Sequence, residues 1–115
     1  MKGRRIPITA KTEQEFSASD DRSVVGLLEQ PGDYCGPILG YAGDRPCVFF
    51  LKPNARDPNA PRRARSWQYV ASPPHTFREE PNGTLTITPS ISDKAGQSES
   101  DGWHGYLTGG EWHKV

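Results

Sequence analysis

Four residues of this chain make a candidate zinc set by type: Cys35, Cys47, His104 and His113. Thiolate sulfur and imidazole nitrogen in a four-coordinate set are the ligands of structural zinc, and two imidazoles with an open position would suit a zinc hydrolase. The spacing argues the other way. Eleven residues separate the cysteines, whereas zinc knuckles place about two to four between them. Two reduced, buried thiols are the simpler expectation, and no cofactor is expected beyond that candidate zinc.

The run "HTFREE" sets His75 near Glu79 and Glu80, residue types that can exchange protons, and on a strand His75 and Glu79 share a face. A solvated edge strand accounts for the run equally well. The chain contains no GxSxG elbow, no HExxH, no P-loop and no GxGxxG opening a helix. No catalytic residue is therefore assigned. A third group consists of Arg56, Arg62, Arg63 and Arg65 with Trp67 and Tyr69 close behind. Cations followed by stacking aromatics suit single-stranded nucleic acid, and they suit an acidic protein surface as well. A solvated loop is the plainer reading of the arginines. As a partner-binding set they point first to protein and second to nucleic acid.

The elements that must position these residues are short. Twelve Gly and eleven Pro in 115 residues cut against long helices and favour strands joined by many turns. The expectation is a single mainly β domain, a small antiparallel barrel or sandwich of six to eight short strands. Residues 1–22 read as a flexible N-terminal segment, although Ile6 and Ile8 alternate weakly enough for an edge strand, and residues 23–115 read as the domain. "SVVGLLEQ" favours a strand through Val24 and Val25, although Leu27 and Leu28 leave a helical turn open. Cys47 to Leu51 is apolar on both sides and so predicts a central strand. "SWQYV", "HTFRE" and "TLTIT" predict three more strands, the last ended by Pro89, and the polar runs 54–65 and 92–102 read as loops.

The chain closes on "DGWHGYLTGGEWHKV". Gly109-Gly110 between aromatic runs signals a two-residue hairpin turn, because such turns need positive φ. Thr108 then faces Glu111, Leu107 faces Trp112, and Tyr106 faces His113. Alternation puts Trp103, Leu107 and Trp112 on one surface, the core side, and His104, Tyr106, His113 and Val115 on the other. The tryptophans would pack on the strands around Val48 to Leu51 and Leu85 to Ile87.

Formal net charge is zero, so no global field favours nucleic acid or an anionic membrane. The charge is uneven, however: residues 34–78 hold seven basic and two acidic side chains, residues 79–115 two basic and six acidic. No apolar run approaches the length of a membrane span, and the basic opening "MKGRR" has no apolar stretch behind it. A soluble, cytoplasmic protein is expected.

The segments "GTLTITPSI" and "DGWHGYLTGGEW" carry a resemblance. Thr88-Pro89-Ser90-Ile91, then a variable loop, then His104-Gly105-Tyr106-Leu107 with Gly110 and Trp112, resembles a family of small uncharacterised proteins from phages, prophages and bacteria, sometimes mislabelled ammonia monooxygenase. The likeness lies within residues 83–112, with a weaker echo near Cys35 to Cys47, where the family often carries a Cys-rich knuckle. Some members carry extra cysteines that suggest a zinc-ribbon-like core, but Trp103 stands where those members have a thiol. The resemblance implies a phage or prophage setting and no particular reaction. Together with the lack of a catalytic signature it points to a non-enzymatic accessory protein that binds a host or phage macromolecule, inhibition of host defence being one such role. A zinc hydrolase using His104 and His113, and a virion component, are the rival readings.

Overall fold

The computed structural model describes residues 1–8, 27–42, 45–54, 67–93 and 103–115. Among them the chain forms seven strands: β1 (Tyr34–Ala42), β2 (Arg45–Leu51), β3 (Trp67–Ala71), β4 (Thr76–Glu79), β5 (Leu85–Asp93), β6 (Trp103–Thr108) and β7 (Glu111–Lys114). They make two antiparallel sheets, β1-β2-β3 and β4-β5-β6-β7. Of the two expected forms this is the sandwich, since neither sheet closes on itself. Among the described residues no helix is long and apolar enough to cross a membrane.

Two apolar clusters explain the layering. The core between the sheets takes Tyr34, Val48, Phe50 and Val70 from one sheet and Leu85, Ile87, Ile91, Trp103, Leu107 and Trp112 from the other. The alternate residues Cys35, Cys47, Phe49 and Leu51 turn to the opposite face of the three-stranded sheet, where they meet Leu28, Ile6 and Ile8. β2 is thus buried on both faces and central in its sheet, which is why its sequence is apolar without alternation. The terminal hairpin has the expected register, Leu107 opposite Trp112 and Tyr106 opposite His113. Gly109 and Gly110, at φ of 54° and 79°, make its turn.

Two segments differ from the sequence reading. β5 continues through Pro89 to Asp93. Its pairing with β6 jumps from Ile87↔Leu107 to Ile91↔Gly105, so Pro89 lies in an irregularity where the ladder asks for no N–H from it. Of the strand expected over 23–30, residues 27–30 are turn and irregular backbone, and the remainder lies outside the described residues. The backbone N–H groups of Glu29 and Gln30 donate to the Asp33 carboxylate instead of to a neighbouring strand.

Residues 1–8 pair with both sheets: Gly3 donates to the Gly110 carbonyl and Trp112 to that of Met1, after which Tyr34 donates to Arg4 and Ile6 to Tyr34. The first residues therefore line the β7 edge and then the β1 edge, tying the two sheets together. Residues 9–22 lie outside the described residues.

Candidate functional site

Side chains of the four-stranded sheet that the core does not use form its outer face. β6 alternates strictly, with Trp103, Gly105 and Leu107 buried and His104, Tyr106 and Thr108 exposed. Gly105 is small for a packing reason, because a Cβ there would overlap the His113 carbonyl oxygen and the Trp103 indole. Opposite Tyr106 the irregularity in β5 leaves Thr88, Pro89 and Ser90 all exposed. Ser90 consequently leans toward β6, and its Oγ lies 3.2 Å from His104 Nε2.

His75, just before β4, joins this group with Nε2 at 3.3 Å from the Ser90 carbonyl oxygen. A carbonyl only accepts, so His75 Nε2 is the donor in this contact. The ring's Nδ1 is buried without a partner. On the other side of the face Tyr106 stacks on His113, ring centroids 5.0 Å apart and planes at 23°. All three histidines of the chain thus stand on or beside one sheet face.

The two glutamates of "HTFREE" are engaged elsewhere. Glu79 pairs with Arg5 at 2.6 Å, and the hydrogen bond from Arg5 holds its carboxyl below the ordinary range. Glu80 accepts from Arg78 at 2.8 Å and from Thr86 Oγ1 at 2.9 Å, and these two bonds lower its carboxyl likewise. Neither carboxylate is bonded to His75 among these contacts, so the run supplies no His–Glu couple.

The candidate zinc ligands are not brought together. The Cys35 and Cys47 side chains are buried on the far side of the three-stranded sheet, while His104 and His113 stand on the outer face of the other sheet, the shared core lying between. Among the described residues no three of His, Cys, Asp or Glu are gathered as for a metal ion. Burial pushes the Cys35 thiol up to about 12, helped by the nearby Asp33 charge and opposed by a hydrogen bond from the Phe49 backbone. Native Cys35 should therefore resist iodoacetamide at pH 8 under conditions that fully alkylate the urea-unfolded chain. Comparable labelling of Cys35 in the two states, mapped by peptide mass, would contradict this burial.

Of the partner-binding set, Arg56, Arg62, Arg63 and Arg65 lie outside the described residues, and of Trp67 only the backbone is described, in β3. Tyr69 is half-buried, its ring 5.7 Å from that of Phe49. Sequence reasoning placed Ser90 in a motif and gave it no chemical role. The available signal was Pro89 within an otherwise regular strand pattern, since a proline there marks an irregularity that can redirect its neighbours.

Scans against protein-family models, curated proteins and solved structures return no match for this chain.

Proposed function

We propose that this protein is a binding domain whose contact surface is the outer face of the four-stranded sheet, with Tyr106 and His113 at its centre. The observation that carries the reading is the stacked pair itself: Tyr106 is 40% exposed on a face that the core does not need. Aromatic side chains that present area at low entropic cost are the usual anchors of protein contacts. Both halves of the phage-type motif contribute here, Thr88, Ser90, His104 and Tyr106 outward and Ile91 and Leu107 into the core. The resemblance carried by those residues motivates the reading of a phage- or prophage-encoded accessory protein acting on a host or phage macromolecule in the host cytoplasm.

A protein partner suits this surface better than nucleic acid. Arg78 is paired with Glu80, and Glu111 adds a negative charge, whereas a phosphate backbone calls for unpaired cations. The test is capture from host and phage-infected lysates by wild-type and Tyr106→Ala protein side by side. A specific partner should be retained by wild type and weakened roughly 30-fold by Tyr106→Ala, as for an aromatic anchor worth about 2 kcal/mol. Stability should change by less than about 1 kcal/mol, the worth of one exposed stacking contact. Equal capture by both proteins would remove the basis for this surface.

A further inference from the structure

We propose that Ser90 is an acyl-acceptor site, activated by His104, for small activated esters whose leaving group is aromatic. This goes beyond the binding reading and does not depend on it. A serine hydroxyl is a poor nucleophile unless a base receives its proton, and a hydroxyl within hydrogen-bond reach of an imidazole nitrogen is the arrangement that supplies one. Ser90 Oγ and His104 Nε2 meet that condition at 3.2 Å, and both side chains are exposed to an incoming reagent.

The fold produces the pairing in a specific way. By register His104 stands opposite Ser92. The three-residue irregularity at Thr88-Pro89-Ser90 brings the Ser90 hydroxyl to the imidazole instead. His75 then donates to the Ser90 carbonyl at 3.3 Å, which fixes the backbone from which the hydroxyl projects. One imidazole holds the residue and the other takes its proton. Tyr106 lies across from this irregularity with its ring partly exposed, a surface on which an aryl leaving group can stack.

The open setting limits the chemistry. An oxyanion formed at an exposed site is stabilised by water and not by preorganised dipoles, so only esters with good leaving groups will react. As Ser90 Oγ adds to the ester carbonyl carbon, its proton moves to His104 Nε2. The tetrahedral adduct then breaks the acyl–oxygen bond and expels a phenoxide, which takes the proton from the imidazolium. The products are a phenol and O-acyl-Ser90, with no change of oxidation state. Water releases the acyl group as a carboxylic acid in a slower second step.

The test uses p-nitrophenyl acetate on the full chain, following p-nitrophenol release and locating acetyl groups by peptide mass spectrometry. Wild type should acquire one acetyl group at Ser90. His104→Gln, which keeps a polar side chain but no base, should slow that acetylation about 100-fold, the lower range for loss of a general base. Acetylation of urea-unfolded wild type at Ser90 should be slowed as strongly, which covers the case of a variant that fails to fold. Acetyl groups found only on lysines or the N-terminus, or Ser90 acetylated equally fast in His104→Gln, would overturn the proposal. Partner capture by Tyr106 is read separately, so either proposal can fail alone.

Discussion

Trp112→Ala should lower the unfolding free energy by about 4 kcal/mol, the cost typical of truncating a buried tryptophan. Trp112 is 2% exposed and stands where the two sheets meet. Its ring lies 4.9 Å from that of Phe50, 5.4 Å from Trp103 and 6.2 Å from Tyr34, the last two edge-on. Indole Nε1 donates to the Gly32 carbonyl at 2.8 Å, so the side chain also ties the hairpin to the turn before β1. Truncation would remove the packing and leave that buried acceptor without its donor. Domains of this size are stable by about 5–15 kcal/mol, which makes the loss a large share of the total. Trp112→Phe narrows the contributions: it keeps part of the aromatic contact, loses the hydrogen bond and leaves a smaller void, for about 1–3 kcal/mol. Urea unfolding followed by circular dichroism measures both. A change below about 1 kcal/mol for Trp112→Ala would mean that the indole is not a core element.

The terminal hairpin was legible because everything that determines it is local. Gly109-Gly110 fixes the turn, and alternation then assigns Trp103, Leu107 and Trp112 inward and His104 and Tyr106 outward. β2 was legible for a related reason, since a strand apolar on both sides needs a layer on each. The N-terminal pairing was not. Met1 and Gly3 bond to residues more than a hundred positions away through backbone groups alone, and main-chain bonds leave no side-chain pattern. β5 misled because a proline ordinarily ends a strand, and here the ladder skips the position that lacks the donor. The candidate site was half legible. His104 and His113 share a face as alternation requires, but their different neighbours, Ser90 and Tyr106, depend on an irregularity and a cross-strand stack that no spacing rule supplies.

Asp33→Ala should cost about 3 kcal/mol at neutral pH, since it would strand several donors at once. The Asp33 side chain is buried, and its Oδ2 accepts from the backbone N–H of Glu29 at 3.0 Å and of Gln30 at 2.9 Å. Arg4 closes a two-pronged pair on it, Nε to Oδ1 at 3.1 Å and Nη2 to Oδ2 at 2.8 Å. The turn so organised places Gly32 at φ of 90°, and its carbonyl receives the Trp112 indole. Burial by itself would raise the Asp33 carboxyl, but the hydrogen bonds from Arg4, Gln30 and Glu29 and the Arg4 charge outweigh it, so the group sits below its ordinary 3.8. A carboxyl lowered on folding contributes stability that is complete above the unfolded-state value and is lost as pH falls through the folded one. Wild type should therefore hold constant stability from neutral pH to about 5 and weaken below about 4. Asp33→Asn keeps the shape but neither the charge nor the second acceptor, and its stability should fall less steeply over that acid range. Arg4 is half-exposed, so water partly replaces it, and Arg4→Ala should cost less than Asp33→Ala. Thermal unfolding of the three variants and wild type between pH 3 and 7 measures the ordering. If wild type and Asp33→Asn lost stability in parallel below pH 4, the acid response would belong to other carboxylates and not to this turn.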